Sequence, residues 1–202
     1  MRFTGHLDLI LTWERTFRRA ALPLSYSEGF NPRPVINLAS PLPLGFISTA
    51  EIGDFWLSEL TDLKVIQDSL NHSLPPGLMI HQIEEIEQIH GNKLPGLVAR
   101  SEYSISISAE LADGLKDKID LLLDSSNYLR VRKGKKYDLR PLIHNISLKK
   151  SQGGTPPELR MSLYTLPTGT GRPDEVLAAL DLLAEEVKIC RTAIILQEGK
   201  EN

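Results

Sequence analysis

Apolar residues recur at two different periods along this 202-residue chain, and the changes of period mark its elements. Over residues 6–22, Ile10, Trp13, Phe17 and Ala20 fall three or four apart, the spacing of one helix face. Asp8, Thr12, Arg15 and Arg19 form the opposite, polar stripe. "TDLKVIQDSLNHSL", residues 61–74, predicts a second helix with Thr61 as its N-cap. Between and around these helices lie short strand patterns: "RFT", "LPLSYS", "VINLAS" and the partly alternating "AEIGDFWLSEL". "GLMIHQIEEIE" closes the half as a strand whose apolar residues are Met79, Ile80, Ile83 and Ile86. The predicted order is βαββαβ.

The second half repeats that order. "EYSISISAE" alternates strictly and predicts a strand. "LADGLKDKIDLLLDSS" predicts a helix despite Gly114. "YLRVRKG", "HNISLKK" and "ELRMSLYTL" predict strands, and the last two flank the loop "SQGGTPP". "RPDEVLAALDLLAEE" predicts a helix with Pro173 in its first turn, and "VKICRTAIIL" a final strand. A finer match supports duplication: Phe30-Asn31-Pro32-Arg33-Pro34-Val35-Ile36 parallels Tyr137-Asp138-Leu139-Arg140-Pro141-Leu142-Ile143. The expected fold is therefore α+β, a tandem duplication of a ferredoxin-like βαββαβ unit with antiparallel sheets. Its domains would be residues 1–88 and 98–202, joined through "QIHGNKLPGLV".

One stretch resists both periods. "LSYSEGFNPRPVINLASPLPLG", from Leu24 to Gly45, holds four of the 13 prolines, which remove backbone donors and fix φ. Tyr26, Phe30, Val35, Ile36, Leu38, Leu42 and Leu44 are interleaved with them, which is not the composition of a disordered linker. The stretch reads as an ordered loop, for recognition or as a structural crossover.

Composition adds bounds. With 41% hydrophobic and 24% charged residues the chain can build a sizeable core. No stretch approaches the roughly 20 apolar residues of a membrane span, and no secretory signal pattern is read at the N-terminus, so the expected compartment is the cytoplasm. The single cysteine, Cys190, excludes an internal disulfide and reads as a buried small hydrophobe; no disulfide-linked partner is expected. The net charge of −3 hides a basic run, because Arg130, Arg132, Lys133, Lys135, Lys136, Arg140, Lys149 and Lys150 face only Asp138. Alternation would set Arg130, Arg132 and Lys136 on one sheet face beside Tyr128 and Tyr137, a combination suited to single-stranded RNA. An edge hairpin guarded by lysines would read the same way. Arg15, Arg18 and Arg19 suit phosphate or a solvated helix face. His6 could serve as an acid/base group, imidazole being the side chain suited to proton exchange near neutral pH, or simply pack at the helix mouth. No nucleotide-binding, hydrolase or zinc motif occurs, and no metal or cofactor is expected.

His6-Leu7-Asp8, Arg18-Arg19-Ala20, Tyr26-Ser27, Gly29-Phe30-Asn31-Pro32, Pro34, Pro41-Leu42-Pro43-Leu44-Gly45, Ser48 and Glu51 together resemble a bacterial family of unknown function, the radical-SAM-linked proteins. "KKYDLRPLI" and "GRPDEVLAAL" extend the resemblance over nearly the whole chain. Gly5 stands where the family usually has Ser. The resemblance implies a domain fused to, or encoded beside, a radical-SAM protein, often near genes of RNA and translation. It supplies no catalytic residues, and the chain lacks the cluster-binding Cys-x-x-x-Cys-x-x-Cys.

The resulting expectation is a non-catalytic RNA-binding or substrate-presenting module that serves a radical-SAM enzyme. Its contacts would come from His6, Arg15, Arg19, Tyr26, Phe30, Asn31 and Arg33, with Arg130, Arg132, Lys135, Lys136 and Arg140 on the basic hairpin. Two rivals stand beside it. One is a ribonuclease-like enzyme using His6, which needs His6, Tyr26 and a cation in one cleft. The other is a docking module for the radical-SAM domain that makes no RNA contact, which needs an exposed apolar loop tip.

Overall fold

The computed structural model describes residues 2–86, 94–151 and 154–197. It is a mixed α/β structure rich in antiparallel pairing, and it divides into two compact units. The first comprises Met1–Leu44 and Ile52–Leu97, the second Gly45–Glu51 and Val98–Asn202.

The chain opens with α1 (His6–Arg19) and β1 (Ile36–Leu38), leaves for β2 (Ile47–Ser48), and returns as β3 (Gly53–Phe55) and α2 (Leu63–Ser73). The helical spacing of α1 does what it predicts. Phe17 is buried with Ile66 and Leu70 of α2, and Trp13 and Ala20 pack against that cluster. Phe17 also tilts against Phe55, with ring centroids 4.6 Å apart, which ties the helices to β3. β1 and β3 pair antiparallel, Ile36 opposite Phe55.

Three predicted strands of this half are absent from the described residues. Arg2 and Phe3 lie in a turn, because nothing offers them a partner strand. "LPLSYS" makes only single bridges, Leu24 to Leu57 and Tyr26 to Pro34, since prolines on either side interrupt the ladder donors. Residues 78–86 are irregular: Ile80 and Ile83 pack on the helix cluster, while Met79 and Ile86 stay exposed. Residue 87, the last of that predicted strand, lies outside the described residues. Asp62, not Thr61, caps α2; its carboxylate accepts from the backbone N–H of Lys64 at 2.8 Å and of Val65 at 3.3 Å.

The second unit carries the larger core. It runs β4 (Val98–Ser106), α3 (Ala109–Ala112), α4 (Leu115–Asp124), the hairpin β5 (Leu129–Arg132) and β6 (Lys135–Asp138), then β7 (Ile143–Lys149) and β8 (Glu158–Leu166). β9 (Gly169–Thr170), α5 (Pro173–Ala179) and β10 (Lys188–Leu196) complete it. The helix predicted across Gly114 is two helices, because Gly114 takes a left-handed φ of 65° and caps α4 instead of continuing α3. The helix predicted to residue 186 stops at Ala179, where Asp181 turns to φ 59°.

The main sheet has the order β2-β10-β4-β8-β7, with β9 attached to β8. Every pairing is antiparallel except β2 with β10, which is parallel. One face buries Ile105, Leu159, Leu163 and Ile189. The other presents the polar positions that alternate with them. This order is not repeated in the first unit among the described residues. Ile36 and Ile143 each open a strand, but Arg33 sits in an open loop and Arg140 in a 3-10 turn.

Candidate recognition loop and the fate of the basic hairpin

The loop at Tyr26–Pro34 is built from its backbone outward. The N–H of Ser27 donates to the carbonyl of Arg33 at 2.8 Å, and the N–H of Val35 donates to Ser25 at 3.0 Å. The Ser27 hydroxyl accepts from the N–H of Arg33 at 3.1 Å. Ser25 and Trp56 extend the network, for the N–H of Ser25 reaches the Trp56 carbonyl and the N–H of Trp56 that of Val35. Gly29 turns the tip with a φ of 118°, which a side chain would oppose. A closed loop of seven residues is thus anchored at its base and presents its tip to solvent.

That tip sets one exposed aromatic ring among the polar side chains of Glu28, Asn31 and Arg33. Phe30 is fully exposed at 105%, and Tyr26 is 55% exposed. Asn31 and Arg33 are exposed beside them. Burial of Tyr26 and Phe30 does not hold the loop. Backbone hydrogen bonds hold it, and the rings face outward.

The predicted cations divide into engaged and open. Arg19 donates to the Ser73 carbonyl at 2.7 Å and to Thr16 Oγ1 at 3.1 Å, tying α1 to the end of α2. Arg140 donates to the carbonyls of Leu123 at 3.0 Å and Ile143 at 3.1 Å, closing the end of α4 onto the start of β7. Arg130 and Arg132 lie 3.2 and 3.4 Å from the Glu175 carboxylate of α5. Tyr137 shares that carboxylate, and burial first, then this hydrogen bond, push its phenol up to about 12. Register sets Lys136 opposite Val131, on the other face from Arg130 and Arg132, so the expected three-cation face does not form. Lys135 and Lys136 are exposed, as is Arg15 on α1.

His6 is the first residue of α1, with Nδ1 shielded from solvent and without a hydrogen-bond partner. The sequence reading passed over the firmest ion pair of the second unit. Arg191, only 1% exposed, grips Glu51 through Nε–Oε1 at 2.8 Å and Nη2–Oε2 at 2.5 Å. The Ser48 hydroxyl donates to the Arg191 carbonyl at 3.1 Å, and the N–H of Thr49 to the same oxygen at 3.0 Å. Ser48 and Glu51, within the stretch Pro41–Glu51, thereby act as a strand-and-clamp device on Arg191. Their signal was present in the sequence, but Arg191 lies 140 residues from Glu51.

These features define an α/β chain of two units with an exposed aromatic ring at a loop tip. The chain belongs to a family described as an uncharacterized protein conserved in bacteria (DUF2344), whose model matches residues 1–173. The loop, Glu51 and the hairpin all fall within the match. No curated protein matches the chain. Among the described residues no helix is long and apolar enough to cross a membrane.

Proposed function

We propose that the chain is a non-catalytic interaction module whose Tyr26–Arg33 loop docks onto a protein, and that this protein is the radical-SAM partner the family resemblance implies. One observation carries the reading: a fully exposed phenylalanine, with Arg33 beside it, at the tip of a loop already pinned by its backbone. Aromatic and arginine side chains dominate interface hot spots, and a preordered loop loses little entropy on binding. A protein fits better than RNA because Arg19, Arg130, Arg132 and Arg140 are engaged within the fold. Residues 1–97 also hold 11 acidic against 7 basic side chains. We read the second unit, from its β10-β4-β8-β7 order, as ferredoxin-like, and a cytoplasmic setting suits this role.

The test is titration of the purified chain with a purified radical-SAM protein encoded beside a family member. The double variant Phe30→Ala with Arg33→Ala should weaken binding by about 2 kcal/mol, roughly thirtyfold, while melting stays within about 0.5 kcal/mol of wild type. Undiminished binding by the variant rejects the loop. Salt-sensitive binding to single-stranded RNA, with no binding to the protein, would replace this reading with the RNA one.

A further inference from the structure

The open face of the second unit's sheet holds a polar site unrelated to the loop. Glu102, Ser162, Asn145 and Thr192 line a cavity of about 340 Å³, at the small end of ligand-sized pockets. Register places Glu102 directly opposite Ser162, and Ser162 opposite Asn145, in one cross-strand row. A bulge flanks this row on each side: Thr192 is the extra residue in β10, and His144 the extra residue in β7. Paired bulges re-aim side chains and are common beside binding sites.

The groups in and next to this row are left unsatisfied. Ser162 Oγ is shielded from solvent yet has no hydrogen-bond partner, a costly state for a hydroxyl. Arg100 lies two residues before Glu102 on the same face, opposite Tyr164, and its Nε is likewise shielded and unpartnered. The Glu102 carboxylate makes no side-chain hydrogen bond or ion pair among the described residues. The neighbouring strand shows that this spacing permits pairing, since Glu158 and Arg160, also two apart, bond at 2.8 Å. Glu158 is further occupied by the Ser104 hydroxyl, and the Tyr164 phenol by His144 Nδ1 at 2.6 Å.

We infer that this face binds a small zwitterion, a free amino acid, with its ammonium on Glu102 and its carboxylate on Arg100. An anion alone would meet the Glu102 charge, and a cation alone would meet Arg100. A ligand carrying both charges on one α-carbon satisfies each and gives Ser162 Oγ a partner. Tyr164, opposite Arg100, is held edge-on to His144 instead of presenting an open stacking platform for bases.

Saturation-transfer NMR of the intact chain with each proteinogenic L-amino acid tests the inference, with putrescine and acetate as single-charge probes. At least one amino acid should bind saturably, and both single-charge probes at least tenfold more weakly. Glu102→Gln and Arg100→Met should each lower amino-acid affinity tenfold or more with unchanged melting. Ser162→Ala should lower it less. No binding by any amino acid overturns the inference, as does putrescine or acetate binding as well as the best amino acid. Undiminished binding by both charge variants overturns it too. The wild-type ligand series decides the matter even if a variant fails to fold.

Discussion

Tyr137 shows how one side chain can decide what a charged surface is for. Its hydroxyl, Arg130 and Arg132 converge on Glu175, so the basic hairpin spends its arginines on α5. The folded phenol is raised to about 12 against an ordinary value of 10.0, so between those values the folded state holds a proton that the unfolded chain has released. Stability from this group is complete below pH 10 and falls as pH rises toward about 12. Ultraviolet titration of phenolate absorbance should show one tyrosine ionising late. Tyr137→Phe should remove that component, and Glu175→Gln should move it to lower pH. A wild-type titration with every tyrosine ionising together near its ordinary value would contradict the shared carboxylate.

At the scale of elements, Glu175 joins the hairpin to a helix, and its loss should be felt in both. Glu175→Gln keeps the shape but removes the charge that opposes two guanidinium groups. We expect a cost of about 1–2 kcal/mol in urea unfolding. The double variant Lys135→Glu with Lys136→Glu, on exposed positions, should stay within about 0.5 kcal/mol of wild type. Equal effects of the two changes would show that the hairpin is not docked through Glu175. The sequence carried the strands of this unit well, because "EYSISISAE" and "ELRMSLYTL" alternate and each apolar set is buried in the core. It carried α1 equally well through Trp13, Phe17 and Ala20. It misled at residues 77–86, where Ile80 and Ile83 pack against two helices without joining a ladder. The cationic cluster was legible as composition, but its partner Glu175 is distant in sequence and becomes visible only when α5 is placed. The exposed state of Phe30 was not legible, since its neighbours Val35 and Ile36 are partly buried and share its apolar character.

At the scale of the whole molecule, the unit boundary is not a single cut in the chain. A reading that separates residues 1–88 from 98–202 assigns Gly45–Glu51 to the first part, yet contacts assign it to the second. Ile47 pairs with Cys190 and Ser48 with Arg191, and Glu51 supplies the carboxylate for a guanidinium that is 1% exposed. Removing the partner of a buried ion is expensive, typically 3–5 kcal/mol, because the remaining charge loses its compensation. Glu51 keeps a third of its side chain in solvent, which places the expected cost near the lower end, about 3 kcal/mol. A fragment of residues 98–202 should therefore be less stable than the full chain by at least that amount, since it also loses an edge strand. The cause can be separated from mere shortening. In the full chain, Glu51→Ala should cost about 3 kcal/mol, whereas Arg191→Met with Glu51→Leu should recover most of it, no buried charge being left. In the fragment, Arg191→Met alone should raise stability. Denaturant melts of the full chain, its Glu51→Ala and Arg191→Met/Glu51→Leu variants, and the fragment with and without Arg191→Met decide the point: if Arg191→Met destabilises the fragment, the clamp is not what holds residues 45–51 in the sheet.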